Sequence, residues 1–228
     1  MSSPVDALQA RLDYRFRRPE LLAEALTHRS VSGPDNERLE FLGDGILNFV
    51  VADELFHRRP DAPEGVLSRL RATLVNGRSL AEIGKALELG RYLRLGGGEM
   101  KSGGQRRKSI LADAVEAIFG AIYLDGGFDA ARQAILLLYR DRLQSLPTEA
   151  ELKDPKTRLQ EYLQAGRRPL PAYEVLEITG KSHDQVFRVA CTLQDAAVAA
   201  EGTAGSRRKA EQEAAQQMLR QLETNHDG

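Results

Sequence analysis

The feature that most constrains this chain is a change of hydrophobic period near residue 147. Upstream, apolar residues recur at helical spacing in PELLAEALTHRS, NERLEFLGDGILNFVVADELF, EGVLSRLRATLVNGRSLAEIGKAL, SILADAVEAIFGAIYLDGG and FDAARQAILLLYRDRLQSL. The breaks fall at SGPDN, RRPDAP, LGGGEMKSGG and LDGGFD, where Gly, Pro, Asn and Asp interrupt helices. Downstream, KTRLQEYLQ keeps the helical spacing, PAYEVLEITG, DQVFRVACTL and AAVAAEG alternate with period 2, and SRRKAEQEAAQQMLRQLE returns to a helix. The pattern predicts two domains. Residues 1–146 form an all-α domain, residues 147–154 a proline-containing flexible linker, and residues 155–225 a small α+β module of order α-β-β-β-α.

Composition removes several classes of function. No apolar run is long enough to span a bilayer, and MSSPVDALQARLDYRF carries acids and arginines where a signal peptide needs an apolar stretch. A cytoplasmic chain without membrane contact is expected. Its net charge of −1 excludes a simple polycation. The single cysteine, Cys191, cannot form an internal disulfide and, in the alternating run VFRVACTL, reads as an inert core residue. Four scattered histidines and one cysteine give no zinc spacing, so any metal has to be held by oxygen. LGGGEMKSGG lacks the G-x-x-x-x-G-K-[ST] spacing, and no nucleotide cofactor is expected.

The segment NERLEFLGD mixes acids with large apolar residues. At about 100° per residue, Glu37, Glu40 and Asp44 fall within roughly 60° of one another, opposite Leu39, Leu42 and Ile46. Asn36 is the expected N-cap, and first-turn acids suit the helix dipole, which accounts for Glu37 but not for Asp44. ILADAVEAIFGAIYL repeats the arrangement, with Asp113 and Glu116 one turn apart opposite Leu111, Val115, Ile118 and Ile122. If the two helices pack through their apolar stripes, Glu40, Asp44, Asp113 and Glu116 converge. Two carboxylates about 5 Å apart repel by roughly 3 kcal/mol at an effective dielectric of about 20. Mg²⁺ or Mn²⁺ removes that repulsion, leaves room for a substrate phosphate, and lowers the pKa of a water toward a usable nucleophile. Phosphodiester hydrolysis is the chemistry such a site serves best. Spacing alone leaves a second reading open, two solvated acidic faces, and Glu64, in a first turn after Pro63, is where an acid is expected in any case.

The last helix opens with Arg207, Arg208 and Lys209 beside an apolar stripe of Ala210, Ala214, Met218, Leu219 and Leu222. Cations at a helix start are electrostatically misplaced unless an anion sits there, and phosphate suits both the side chains and the free N–H groups. GKSHDQ joins two strands and presents His183 near its tip.

NERLEFLGD resembles the signature of the ribonuclease III family, and the match extends through ALTHRS, RATLV, KSGG and ILADAVEAIFGAIYLDGG, while the C-terminal module resembles the double-stranded-RNA-binding domain. The resemblance implies a homodimeric, Mg²⁺-dependent endoribonuclease, with Mn²⁺ a possible substitute, that cuts double-stranded RNA. It implies 5′-phosphate and 3′-hydroxyl ends with short 3′ overhangs, and processing of ribosomal RNA precursors and of some messenger and transfer RNAs. Glu40, Asp44, Asp113 and Glu116 match the metal carboxylates, Asp44 and Glu116 being most directly tied to catalysis, and Glu37 and Glu64 match further acids at the substrate or dimer site. Phe41, about 40° from Glu37 and away from the apolar stripe, matches a residue that packs into the other subunit; the alternative is packing within its own. Gln160, Glu161 and His183 match minor-groove contacts, and Arg207, Arg208 and Lys209 match phosphate contacts. Three rival readings remain. A module that only grips structured RNA leaves the carboxylates unexplained, an all-α phosphohydrolase of small nucleotides leaves the C-terminal module unexplained, and a purely structural dimerisation protein explains the apolar faces but not the acids.

Overall fold

The computed structural model describes residues 4–181 and 184–224. They divide into two compact units, one running through Leu146 and one starting at Pro147.

The first unit is helical. Its elements are α1 (Pro4–Leu12), α2 (Pro19–Ala25), α3 (Glu37–Arg58), α4 (Glu64–Val75), α5 (Gly77–Ala86), α6 (Gly97–Lys101) and α7 (Lys108–Gln144), with 3-10 turns at Leu89–Arg91 and Gly104–Arg106. The long pair α3 and α7 forms the centre. Leu39, Leu47, Val50, Val51 and Leu55 on one helix, and Leu111, Val115, Ile118 and Ile122 on the other, are buried. Each such side chain contributes up to about 1.5–3 kcal/mol on leaving water. The helix α7 bends at Gly127, whose φ of 84° is a conformation that glycine adopts without steric cost. The preceding Asp125 accepts hydrogen bonds from the Tyr14 hydroxyl (2.7 Å) and the N–H groups of Arg17 (2.8 Å) and Arg18 (3.0 Å), fastening the N-terminal segment to the bend.

Three local expectations are corrected. Asn36 stands at the N-cap position of α3 but has helical torsions and no side-chain capping bond. It is buried, with its amide directed to the Ala25 carbonyl, and the Asp35 carboxylate accepts from the Glu37 N–H instead. The run EGVLSRLRATLVNGRSLAEIGKAL is two helices. Asn76 is extended and caps α5 by accepting from the Ser79 N–H at 3.0 Å, so a cap overrides continuous periodicity. The glycine-rich LGGGEMKSGG, read as a break between helices, contains α6 and leads into the 3-10 turn at Gly104–Arg106.

The second unit contains α8 (Glu149–Leu152), α9 (Pro155–Ala165), β1 (Ala172–Thr179), β2 (Val186–Leu193), β3 (Ala196–Ala204) and α10 (Arg207–Thr224). The strands form an antiparallel sheet in the order β1-β2-β3, with Tyr173 opposite Cys191 and Cys191 opposite Ala200. Leu159 and Leu163 of α9, Ala214, Met218 and Leu222 of α10, and Cys191 make one buried cluster, so both helices cover one face of the sheet. The cysteine is a core residue, as read from its alternating strand. The order α-β-β-β-α is thus observed, preceded by one further helical turn. That turn, α8, lies inside the segment read as linker, where the Thr148 side chain and Glu151 form a reciprocal capping box. No helix among the described residues is long and apolar enough to cross a membrane.

Candidate metal centre and nucleic-acid interface

Two glycines set the geometry of the acidic cluster. A Cβ on Gly43 of α3 would run into the Glu116 carbonyl oxygen, and one on Gly120 of α7 into the Leu39 carbonyl oxygen. The helices therefore touch backbone to backbone at this crossing. Glu40, one turn before Gly43, meets Asp113 and Glu116, two turns and one turn before Gly120, and carboxylate oxygens of the three lie within 4.8 Å of one another.

This concentration of negative charge is visible in the acids themselves. Burial and the charges of Asp44, Glu40 and Asp113 push the Glu116 carboxyl up to about 8. Glu40 is raised by burial and then by Asp113 and Glu37. Asp113 is raised by burial, against the opposing influence of His28 and Arg29. Asp44 is near enough for Glu116 to feel its charge but stands outside the trio, its Oδ1 accepting from Asn48 Nδ2 at 2.8 Å. The donor set is entirely carboxylate oxygen, which suits a hard divalent cation, and a cation would remove the repulsion that adds to burial in raising Glu40 and Glu116.

Two of the trio, Glu40 and Asp113, border a cleft of about 580 Å³. Glu37, Glu40 and Asp113 line its acidic side and His28, Arg29 and Arg107 its basic side. Arg29 pairs with Glu37 at 3.0 Å and Arg107 with Glu99 at 2.7 Å. The Ser30 hydroxyl accepts from the Gly96 N–H at 2.8 Å, so ALTHRS and the glycine-rich segment meet at this wall. His28, Arg29, Glu99 and Arg107 carried no role in the sequence reading; the available signal was the two motifs themselves, without the contact that joins them. Glu64 lies in the first turn of α4 and accepts from Ser68 Oγ at 2.6 Å on its own helix; it is outside both the trio and the cleft lining.

Phe41 is 84% exposed, which rules out packing within its own subunit. Phe49 and Phe56 follow it along α3, 60% and 66% exposed. Beside Phe41 lies a groove of about 640 Å³ lined by Leu21, Leu42 and Leu124.

In the second unit Gln160 and Glu161 are exposed on α9, and Arg207, Arg208 and Lys209 are exposed at the start of α10. Lys153 donates to both carboxylate oxygens of Glu161, at 2.9 and 2.8 Å. His183 lies outside the described residues.

Comparison with known proteins decides the family. Residues 18–143 match a family model described as ribonuclease-III-like, and residues 155–222 match the double-stranded RNA binding motif. The chain belongs to the ribonuclease III family. It is an endoribonuclease, a hydrolase of a metal-dependent family, and its second unit is a module whose partner is double-stranded RNA. It is 83% identical to a protein named Ribonuclease 3 from Alkalilimnicola ehrlichii over 100% of both chains. It is 58% identical to one of the same name from Nitrosococcus oceani, over 96% of this chain and 95% of the other. Among solved structures, the nuclease domain of ribonuclease III from Campylobacter jejuni matches with 44% identity and a TM-score of 0.59, over 61% of this chain and 97% of that one. Of the sequence-based readings, the helical nuclease domain, the α-β-β-β-α module and the endoribonuclease class are borne out.

Proposed function

We propose that this chain is a Mg²⁺-dependent, homodimeric endoribonuclease that hydrolyses double-stranded RNA in the cytoplasm to products with 5′-phosphates, 3′-hydroxyls and short 3′ overhangs. Ribosomal RNA precursors, with some messenger and transfer RNAs, are its proposed substrates. The observation that carries the reading is the carboxylate trio of Glu40, Asp113 and Glu116, too close and too buried to be stable as three free anions. These residues, joined by Asp44, hold the divalent ion, with Mn²⁺ able to replace Mg²⁺, and Asp44 and Glu116 act closest to the reaction. When bound, the ion supplies charge neutralisation and a water of lowered pKa. His28, Arg29 and Arg107 offset the acids along the cleft through which a phosphate backbone has to approach, and Glu37 on the cleft and Glu64 outside it act at the substrate or dimer surface.

Affinity for the duplex comes from the second unit. Gln160, Glu161 and His183 take the minor groove, and Arg207, Arg208 and Lys209 the phosphates. The dimer is isologous, each Phe41 entering the other subunit's groove beside Leu42 and Leu124. The exposure of Phe41 supports this, as does a solved nuclease domain from Campylobacter jejuni, 45% identical, that is described as flexible in a region involved in dimer formation. Substituting Glu116→Ala tests the division of labour: cleavage of a labelled RNA duplex should be lost while retardation of the same duplex on a native gel is kept. Loss of both together would overturn it.

A further inference from the structure

The pair Arg207 and Glu211 is poorly explained by helix stability. A cation in the first turn of α10 opposes the helix dipole, and an i,i+4 pair with the cation N-terminal to the acid is the weaker orientation. The Glu211 side chain is only 13% exposed, and each of its oxygens takes one cation: Lys156 Nζ reaches Oε2 at 2.8 Å and Arg207 Nε reaches Oε1 at 2.9 Å. Lys156 is held from a second side, its ammonium 4.3 Å from the centroid of the Tyr173 ring. A line of contacts therefore runs from β1 through α9 to α10 and ends on a side chain that is 64% exposed. The bond to Glu211 occupies Nε–H and leaves the terminal Nη donors, the fork that suits phosphate oxygens.

We propose that Glu211 is a positioning residue for duplex binding, fixing the Arg207 guanidinium in the orientation that grips an RNA phosphate. The proposal rests on the reading of Arg207 as a phosphate contact. Plain electrostatics gives the opposite sign, since removing a carboxylate near a polyanion strengthens attraction. Positioning weakens binding on the same change, because the guanidinium has to be ordered anew each time a duplex arrives.

The test is fluorescence anisotropy of the full chain with a labelled RNA duplex, in chelator to prevent cleavage, over a range of KCl. Arg207→Ala should weaken binding and lower the salt slope by about one. Glu211→Gln should weaken binding about two- to tenfold despite deleting a negative charge, and should add nothing in the Arg207→Ala background. Should Glu211→Gln fail to fold, Glu211→Asp keeps the charge but is one methylene short of spanning both cations, and is expected to weaken binding likewise. If Arg207→Ala binds like the wild type, the reading of Arg207 is wrong. If Arg207→Ala is weakened while the Glu211 variant binds as well as or better than the wild type, or weakens the Arg207→Ala protein by the same factor, Glu211 does not position Arg207.

Discussion

Replacing Glu116 with Gln should stabilise the metal-free protein at alkaline pH and remove its response to Mg²⁺. Carboxylate oxygens of Glu40, Asp113 and Glu116 lie within 4.8 Å of one another, a separation at which two full charges repel by about 3.5 kcal/mol at an effective dielectric of about 20. Glu40 and Asp113 line an open cleft, and solvent screening removes roughly half of that or more, leaving about 1–2 kcal/mol. The sign of the pH dependence follows from the Glu116 carboxyl at about 8 against an ordinary 4.5. Between those values the folded protein holds a proton that the unfolded chain has released, so stability falls as pH rises through the window, and the whole penalty is present above about 8. Gln does not titrate. Urea unfolding at pH 5, 7 and 8.5, followed by the circular dichroism of the helical unit, should show Glu116→Gln more stable than the wild type by about 1–2 kcal/mol at pH 8.5 in chelator. The gap should close toward pH 5, and Mg²⁺ should stabilise the wild type alone. A variant that is less stable than the wild type at pH 8.5 in chelator, or that gains as much from Mg²⁺, would refute the reasoning.

Three further outcomes are expected. Phe41→Glu places a charge at the centre of the proposed self-pairing surface and should convert a dimer to monomers in analytical ultracentrifugation, with helix content unchanged; a dimer that survives refutes that interface. Gly43→Ala puts a methyl group into the Glu116 carbonyl, and separating the two helices should cost about 2–3 kcal/mol of stability in denaturant titration and most of the cleavage rate. Lys209→Ala should weaken duplex binding on every sequence tested and lower the salt slope by about one, with the Mg²⁺ response of the nuclease unit unchanged.

The sequence carried the element order because helical and strand periods separate cleanly on either side of the segment that includes Pro147. It carried the acidic residues because Glu40 and Asp44, then Asp113 and Glu116, each fall on the side of a helix away from its apolar stripe. It did not carry the crossing point. Gly43 and Gly120 read as ordinary small residues in helical runs, and only the close approach of two backbones shows why a side chain is excluded there. The convergence of Glu40 with Asp113 and Glu116, and the position of Asp44 outside the trio, depend on that approach. The basic side of the cleft was hidden for a similar reason, since Ser30 and Gly96 are far apart in the chain and meet only in the fold, where the Gly96 N–H donates to the Ser30 hydroxyl beside a backbone bridge between Thr27 and Arg94. Asn36 and Asn76 illustrate the limit of local rules. The same residue type is buried against Ala25 in one place and caps a helix in the other, and tertiary surroundings make the difference. The support beneath Arg207 was likewise unreadable, because Lys156, Tyr173 and Glu211 come from three separate elements.

Hydrolysis of duplex RNA at a metal-dependent acidic centre leaves its signature in the ends of the products. A labelled RNA duplex is incubated with the full chain, with Mg²⁺ and in parallel with chelator, and the products are mapped by gel and by phosphatase sensitivity. Cutting is expected only with Mg²⁺, with 5′-phosphates and 3′-hydroxyls, since water is the proposed nucleophile. Cutting in chelator, products ending in 2′,3′-cyclic phosphates from attack by the RNA's own 2′-hydroxyl, or a bound but uncut duplex under conditions where a control nuclease cleaves it would contradict the account.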